Sequence, residues 1–150
     1  MPSGRRSWFV DTNLIVYTVD PSEPEKRKIA TDWLTRMVET KSLVLSPQSL
    51  NECYRVITER RPRMGRDEAR LFISGFVSCC TANLDIDVLR RAWRVQDAGG
   101  FNWWDSLLIA SALIARCSVF LSEDMQHERT IEGMTILDPF KLGSPEPFFS

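Results

Sequence analysis

Short apolar runs alternate along this chain with longer segments whose apolar residues recur every three or four positions. The longer segments have the period of an amphipathic helix, and the short runs have the length of buried strands. The predicted strands cover residues 7–10, 42–45, 82–86, 119–121 and 135–137. The predicted helices cover residues 14–17, 25–39, 47 to about 60, 67–77, 87–98 and 103–115. Strands and helices therefore alternate through most of the chain.

Residues at the ends of these segments support three of the helix predictions. Ser46 is a typical N-cap and is followed by proline at the first helical position. Asp87 and Asn102 are the predicted caps of two later helices, and Gly99 and Gly100 are expected to end the first of these. The apolar period and the capping residues therefore predict the same helices.

The alternation of short strands with longer helices is typical of a parallel sheet covered on both faces. We therefore predict an α/β fold, a three-layer α/β/α sandwich around a central, mainly parallel sheet of four or five strands. The length of 150 residues suits one domain, so residues 1–150 are expected to form a single domain. The tail from about Gly143 is rich in proline and serine and is expected to be poorly ordered, although Phe148 and Phe149 could dock.

Composition argues against several classes of protein. The apolar fraction is 43%, and no apolar run approaches the roughly 20 residues that span a bilayer. The basic N-terminus precedes an apolar stretch that Asp11 and Asn13 interrupt, which makes a poor signal peptide. The four cysteines form no CxxC pair, so the sequence argues against a zinc site and favours a reduced, cytoplasmic protein.

Four acidic residues stand where a parallel sheet would bring them together. Asp11 and Asp124 follow predicted strands, and Glu52 and Asp105 lie near the starts of predicted helices. Ligands of open parallel sheets bind beyond the carboxyl ends of the strands, so these acids could converge on one pocket. Four close carboxylates cannot all stay ionised unless a cation offsets their repulsion. The first hypothesis is therefore a divalent metal site, and it suggests hydrolysis of a phosphodiester.

All four acids also have structural interpretations that the sequence leaves open, which for Asp124 is a turn at the exit of a strand. Asp11 could cap a turn or a helix, unless Asn13 does so instead. Glu52 could be a solvated acid that the helix dipole favours. Asp105 could complete a capping box behind Asn102, although aspartate is a shorter partner than glutamate for that role.

The fourth acidic position is ambiguous. Either Glu123 or Asp124 could be the functional acid, because both follow the same predicted strand. Ser122 could cap the loop or hold a metal-bound water. His127 is interpreted as a hydrogen-bonding residue of the loop, since a single histidine does not provide the pair that acid–base ribonucleases use.

Arginines and tryptophans supply the candidates for substrate binding. The net charge is only −1, but arginines form two clusters: Arg60, Arg61, Arg63 and Arg66, and Arg90, Arg91 and Arg94. The planar fork of arginine suits phosphate, and solvated helix faces are the alternative interpretation. We select Arg60, Arg61 and Arg63, together with Trp103 as a ring that could stack on a base. Trp103 and Trp104 begin the most apolar helix, so at least one of them is expected to pack in the core.

Four short motifs and the end of the chain resemble the PIN-domain nucleases, and most closely their VapC-like toxin branch. The matching stretches are residues 9–13 (FVDTN), 49–52 (SLNE), 103–110 (WWDSLLIA), 121–127 (LSEDMQH) and 135–140 (TILDPF). Each motif alone is weak, but their order and spacing extend the resemblance from about Trp8 to Phe140. The chain departs from the family pattern at Glu128, where glycine is common, and at Asp138, where asparagine is usual.

This resemblance implies a metal-dependent endoribonuclease. The family's acidic positions fall on Asp11, Glu52, Asp105 and Asp124, and its accessory polar positions fall on Asn13 and Ser122. The acids would bind Mg²⁺ or Mn²⁺, with Asp11 and Asp105 as the principal ligands. The resemblance also implies an RNA substrate, a role as the toxin of a type II toxin–antitoxin pair, a small antitoxin partner and a homodimer.

Three other functions stay open as alternatives. A PIN-like module that only binds RNA or protein would share the fold, although the full acidic set argues against it. A phosphoacceptor receiver domain would need an adjacent acidic pair after the first strand, where Thr12 and Asn13 follow Asp11. A haloacid-dehalogenase-like phosphatase would need aspartate at position 13.

Overall fold

A mainly parallel sheet forms the centre of the fold. The structure is a computed structural model that describes residues 6–60 and 62–149. The strands in these residues are β1 (Trp8–Val10), β2 (Leu43–Val44), β3 (Val119–Leu121), β4 (Thr130–Ile131) and β5 (Met134–Leu137). They lie in the order β2-β1-β3-β5-β4, and β4 is antiparallel to β5 while the other pairs are parallel.

Helices cover both faces of this sheet. They are α1 (Thr12–Tyr17), α2 (Pro24–Glu39), α3 (Pro47–Arg55), α4 (Arg66–Ser74), α5 (Ile86–Gly99), α6 (Trp103–Ile114) and α7 (Pro139–Leu142). A π-helical segment, Val56–Arg60, continues α3, and short 3₁₀ helices occupy Val77–Cys79 and Glu146–Phe148. The predicted three-layer α/β/α sandwich with a mainly parallel sheet is confirmed. Among the described residues, no helix has the length and apolar character needed to cross a membrane.

The alternation of side chains along β1 explains the two helical layers. Trp8 and Val10 pack into one hydrophobic core with α1, α2 and α3, while Phe9 packs into a second core with α5 and α6. Successive side chains of a strand point to opposite faces, so three apolar residues serve both cores. Phe9 stacks on Phe120 of β3 with ring centroids 5.3 Å apart, and both rings are fully buried. The sheet therefore has a hydrophobic core on each of its two faces.

Backbone pairing continues past the carboxyl ends of β1 and β3. The amide of Asp11 donates to the carbonyl of Leu121, and the amide of Ser122 donates to the carbonyl of Leu137, each over 2.9 Å between nitrogen and oxygen. Asp11 and Ser122 therefore lie side by side at the carboxyl edge of the sheet, the edge at which parallel α/β folds bind their ligands.

The strand predicted at residues 82–86 is wrong. The amide of Ala82 donates to the carbonyl of Leu45 at 3.0 Å, but the chain then leaves the sheet. Leu84 and Ile86 are 47% and 60% exposed, so among the alternating apolar residues only Ala82 is buried in a core. The alternation of apolar and polar residues was not enough to predict a strand here, because a strand also needs other residues on which its apolar side chains can pack.

The cap predicted for α5 is also wrong. Asp85, and not Asp87, is the N-cap, because its side chain accepts a hydrogen bond from the amide of Val88 at 3.1 Å. The helix ends as predicted at the glycine pair, where Gly100 adopts a left-handed conformation with φ of 71°.

The strand β4 has no counterpart among the predicted strands. It forms a hairpin with β5 through Glu132 and Gly133, which both have positive φ, 47° and 90°. Positive φ at both central residues is the pattern of a two-residue type I′ turn. The sequence signal was missed because the first of these turn positions usually holds asparagine, aspartate or glycine, and here it holds glutamate.

The cysteines have the environments of small apolar residues. All four are free in the structure, and Cys53 and Cys117 are buried. Burial raises the pKa of both buried thiols to about 12, so they stay protonated at neutral pH.

The C-terminal tail, expected to be poorly ordered, packs on the first core. Phe149 stacks on Trp8 with ring centroids 5.1 Å apart, and Phe148 lies 5.5 Å from Trp33. The indole nitrogen of Trp33 donates to the carbonyl of Gly143 at 2.8 Å. Docking of the two phenylalanines, which the sequence left open, is the arrangement in the structure.

This contact predicts that the tail contributes to stability. Phe149→Ala should lower the free energy of unfolding by about 2 kcal/mol, about half the cost of truncating a fully buried phenylalanine, because the ring is half-buried. Leu71→Ala is the matched control, since Leu71 is 77% exposed and its truncation should change stability by less than about 0.5 kcal/mol. Urea denaturation measures both variants. Equal stability of the two variants would show that the tail does not dock in solution.

Candidate functional site

The four predicted acids line one cavity at the carboxyl edge of the sheet. Its volume is about 800 Å³, and the acidic residues in its wall are Asp11, Glu52, Asp105 and Asp124. Each comes from a different place in the chain: the end of β1, helix α3, the first turn of α6 and the loop after β3. The fold therefore brings together in space the acids that are far apart in sequence.

Asp11 is held by the strand that precedes it and by Ser122. Its backbone occupies the N-cap position of α1, but its side chain makes no capping hydrogen bond. One carboxylate oxygen accepts a hydrogen bond from the Ser122 hydroxyl at 2.9 Å, and that hydroxyl oxygen accepts from the amide of Asp124 at 3.2 Å. The side chain of Asp11 therefore does not cap the helix. Ser122 instead links Asp11 to Asp124.

The protonation of Asp11 reflects burial and neighbouring charge. Burial, and to a smaller extent the charges of Asp105 and Asp124, raise the pKa of Asp11 from 3.8 to about 7, although hydrogen bonds from Ser122 and the Thr12 amide act in the opposite direction. Repulsion of this kind requires that the acids lie near one another. Without a counterion, the pocket therefore resists full ionisation.

Glu52 lies on the side of α3 that faces the cavity. Its two carboxylate oxygens accept hydrogen bonds from the Thr12 hydroxyl at 3.2 Å and from the side-chain amide of Gln48 at 3.0 Å. The same amide nitrogen of Gln48 donates to the carbonyl of Trp104 at 3.1 Å. Gln48 is 5% exposed and so forms a buried bridge between α3 and α6. Sequence analysis missed Gln48, although its position four residues before Glu52 places both on one helix face.

Asp105 begins α6 with a pair of contacts to Asn102. The amide of Asp105 donates to the side-chain oxygen of Asn102 at 2.8 Å, so Asn102 is the predicted N-cap. The Asn102 side-chain nitrogen donates to the Asp105 carboxylate at 3.1 Å, which replaces the backbone contact of a true capping box. Burial, and then the charges of Asp124 and Glu52, raise the pKa of Asp105.

Glu123 and Asp124 have different surroundings. Asp124 accepts a hydrogen bond from the side-chain nitrogen of Asn13 at 2.8 Å and lies in the wall of the acidic cavity. Glu123 points to α1 and α2, where it binds the Tyr17 hydroxyl and forms an ion pair with Lys26 at 2.8 Å. Asn13 therefore orients Asp124, and Glu123 is occupied by a structural contact.

The candidate substrate-binding residues divide between the cavity and the rest of the molecule. Arg60 lines the cavity, whereas Arg63 forms an ion pair with buried Asp20 at 3.1 Å and does not line it. Arg61 lies outside the described residues. Trp103 is half-buried against the second core, so its selection as the stacking ring is not supported by its position.

Arg55 and Trp104, which were not among the selected substrate-binding residues, also line the cavity. Arg55 follows Glu52 by three residues on α3, a spacing that places both side chains on one face. Trp104 is 63% exposed and lies in the wall of the cavity beside Asp105. The apolar period could not distinguish Trp104 from Trp103, because α6 is apolar nearly all round.

The four carboxylates of the cavity are suitable ligands for a divalent cation, although their side chains are not arranged around a metal position in the described structure. Among the described residues, no three histidine, cysteine, aspartate or glutamate side chains are positioned to hold a metal ion. Neutral hydrogen-bond donors hold the carboxylates instead. Carboxylate oxygens are nevertheless the ligands that Mg²⁺ and Mn²⁺ prefer, and a cation would offset the repulsion that raises the pKa of Asp11 and Asp105 beyond the effect of burial.

The fold and the cavity define an α/β domain with a cluster of acids at the carboxyl edge of a mainly parallel sheet. The sequence model of the PIN domain matches residues 8–132, and the chain therefore belongs to the PIN domain family. The predicted family resemblance is confirmed. No curated protein matches the chain closely enough to count as a relative.

Solved structures agree with this assignment at the level of the fold. The chain is similar to a structure described as a toxin-antitoxin complex from Klebsiella pneumoniae, with 15% identity, coverage of 89% of this chain and 98% of that chain, and a TM-score of 0.62. It is also similar to VapBC2 from Rickettsia felis bound to a DNA fragment from their promoter, with 11% identity, coverage of 87% and 97%, and a TM-score of 0.62.

The raised pKa of Asp11 predicts that stability falls as the pH rises. The folded state retains a proton on Asp11 between pH 4 and about 7, while the unfolded chain loses it near 3.8. In a chelating buffer, the wild-type protein should therefore lose up to about 4 kcal/mol of stability from this group as the pH rises to 8. Asp11→Asn cannot titrate, so it should remove the contribution of Asp11 to this slope and be more stable than wild type at pH 8.

Urea denaturation at several pH values measures this effect. Asp97→Asn is the matched control, because Asp97 is an exposed acid of α5 outside the cavity and its removal should leave the slope intact. A slope that is equal in wild type and Asp11→Asn would show that Asp11 ionises freely in the folded protein.

Proposed function

We propose that this protein is a metal-dependent endoribonuclease that hydrolyses RNA phosphodiester bonds. The observation that supports this most directly is the cavity in which four carboxylates from separate elements meet. Burial, together with the charges of neighbouring acids, raises the pKa of Asp11 and Asp105. Such a site favours a divalent cation, and it belongs to a chain of the PIN domain family.

In this proposal the cavity residues have distinct tasks. Asp11 and Asp105 would be the principal ligands of Mg²⁺ or Mn²⁺, and Glu52 and Asp124 would complete the set, partly through water. When bound, such an ion supplies a more acidic water and offsets the negative charge of the leaving oxygen.

Accessory residues would hold the acids and the substrate. Ser122 fixes the carboxylate of Asp11, and Asn13 fixes that of Asp124, through the hydrogen bonds described above. Arg60 and Arg55 lie in the cavity wall, where their guanidinium groups can bind phosphate oxygens of the strand. A single-stranded or loop segment of RNA is the proposed substrate, since its backbone can follow such a cavity.

One observation favours a second candidate function. In the described residues, neutral donors hold the carboxylates, and no three of them are placed around a common metal position. A non-catalytic PIN-like module could have the same arrangement. Such a module would bind RNA or protein without cleaving it. Under that alternative, arginines and an exposed aromatic ring in the cavity would serve binding alone.

We further propose that the protein is the toxin of a type II toxin–antitoxin pair and acts in the cytoplasm. Of the two solved structures reported above, one is described as a toxin-antitoxin complex and the other as VapBC2 bound to a DNA fragment from their promoter. A small antitoxin would be the partner, and a basic residue of that partner could neutralise the acids of the cavity. A homodimer is part of the same proposal.

Nuclease activity is testable with purified protein and a panel of RNAs. Wild type should cleave in Mg²⁺ and should not cleave in EDTA. Asp11→Asn and Asp105→Asn should each lower the rate at least about 100-fold, because even residues that only support metal ligands typically contribute 10- to 100-fold. Gel electrophoresis of end-labelled RNA measures the rate and separates internal cleavage from trimming of the ends.

Matched variants make this test specific. Asp97→Asn, on the exposed face of α5, should cleave as wild type does. Asp124→Asn should lose cleavage, whereas Glu123→Gln should mainly lose stability, because Glu123 is bound to Lys26 and Tyr17. Cleavage that persists in EDTA or in both principal variants would reject the metal mechanism. RNA binding without cleavage by the wild type would support the binding module instead.

The toxin role predicts an effect on growing cells. Expression of the wild-type chain in bacteria should arrest growth, and Asp105→Asn should relieve the arrest because it removes a principal ligand. Co-expression of the product of a small neighbouring gene should also relieve it, and the two proteins should purify together. Growth curves and affinity purification measure these outcomes. Normal growth with an active wild-type nuclease would remove the toxin role and leave the nuclease function in place.

A further inference from the structure

We propose that the indole ring of Trp104 stacks on an unpaired base of the RNA whose phosphodiester reaches the acids of the cavity. Trp104 would thus be a substrate-binding residue that favours single-stranded over paired RNA. This inference rests on the proposed nuclease function and identifies how that function selects its substrate.

The exposure of Trp104 sets it apart from the rest of its helix. Its residue is 63% exposed, whereas Leu108 and Ile109 of the same helix are fully buried. Trp103, its neighbour in sequence, packs against the second core. One large aromatic ring at the start of the most apolar helix is therefore left available for a ligand. Tryptophan rings at such positions supply rigid contact area at a small cost in conformational entropy.

The position of Trp104 is fixed relative to the acids. It directly precedes Asp105, and its carbonyl accepts the hydrogen bond from the buried Gln48 at 3.1 Å. The same Gln48 nitrogen donates to Glu52 at 3.0 Å. The backbone that supports the ring is therefore tied to acids on two helices. A ring on a rigid support next to the reacting group is suited to position a substrate as well as bind it.

The surroundings of the ring suit a nucleotide. Leu84, which is 47% exposed, and Leu107 line the same cavity and extend its apolar wall. Arg55 and Arg60 line it as well, and provide positive charge for the phosphates. Stacking platforms combined with basic groups along the backbone path are the general means by which proteins bind single-stranded nucleic acids.

A protein partner is the main alternative occupant. An apolar side chain of a partner could also cover Trp104 and Leu84. Nucleic acid is favoured because the ring shares its cavity with four carboxylates and two arginines, which serve a phosphodiester. Other exposed apolar residues, such as Leu71 at 77% and Val77 at 58%, do not line this cavity and are more suitable for a purely apolar partner.

The experiment measures the affinity for short single-stranded RNA in the Asp11→Asn background with Mg²⁺, so that the RNA is not consumed. Fluorescence anisotropy of a labelled oligonucleotide gives the Kd. Adding Trp104→Ala should weaken binding about tenfold, equivalent to about 1.4 kcal/mol, and Trp104→Phe should retain most of the affinity. Trp93→Ala is the matched control, because Trp93 is 52% exposed on α5 but does not line the cavity.

A second series of RNAs tests stacking itself. Each strand contains one abasic nucleotide at a different position. At one position the abasic strand should bind the Trp104 protein about tenfold more weakly than the intact strand. At that same position Trp104→Ala should cause no further loss. This non-additive pattern is expected only if the ring and the missing base contact each other.

The outcomes separate this inference from the nuclease proposal. If wild type cleaves RNA but Trp104→Ala binds as tightly as Trp93→Ala, the stacking role is wrong and the nuclease function stands. Equal losses with intact and all abasic strands would also overturn stacking. Loss of binding to a co-purified protein, with RNA affinity unchanged, would assign the ring to a protein interface and overturn the proposal. If wild type neither binds nor cleaves RNA, both proposals fail. Circular dichroism verifies that the variants are folded.

Discussion

The parallel pairing of β1 with β3 is the constraint on which the candidate site depends. The hydrogen bond from the amide of Asp11 to the carbonyl of Leu121 extends this pairing beyond the strands. As a result, the first residue after β1 and the first residue after β3 leave the sheet side by side. The hydroxyl of Ser122 can then donate a hydrogen bond to the carboxylate of Asp11 and accept one from the amide of Asp124. A shift of register by one residue would turn these side chains to the opposite face and dissolve the site.

The same arrangement buries the carboxyl group of Asp11, and burial disfavours its ionised form. Asp11 is 9% exposed and begins α1 without using its carboxylate as a cap. Burial and the nearby acids therefore disfavour its ionised form, and folding tolerates this cost because two cores on either side of the sheet stabilise the domain. Strain of this electrostatic kind is typical of functional sites, since a residue with a purely structural task would be replaced at less cost. The cavity thus contains two acids, Asp11 and Asp105, whose ionised forms the fold disfavours.

The fold, the family and the acids of the cavity were predictable from the sequence, because they depend on local signals. Short apolar runs, caps and the polar residues at strand ends are visible without knowledge of tertiary contacts. Local signals were insufficient where the outcome depends on what lies opposite a residue. Leu84 and Ile86 alternate as strand residues do but are exposed, and Arg63 belongs to an arginine cluster in the sequence but forms its ion pair with the buried Asp20. Trp103 and Trp104 were indistinguishable because both begin a helix that is apolar on every side.

The two halves of the cavity are supported in different ways. Asp11 and the loop that holds Asp124 are attached to strands joined by continuous backbone hydrogen bonds. Helices α3 and α6, by contrast, are joined through the side chain of Gln48, which binds the carboxylate of Glu52 and the carbonyl of Trp104. Backbone pairing resists displacement along its whole length, whereas a bridge made by one side chain depends on the rotamer of that side chain. The strand half of the cavity is therefore fixed by the sheet itself, while the position of the helical half, including the backbone of Trp104, depends on the buried Gln48.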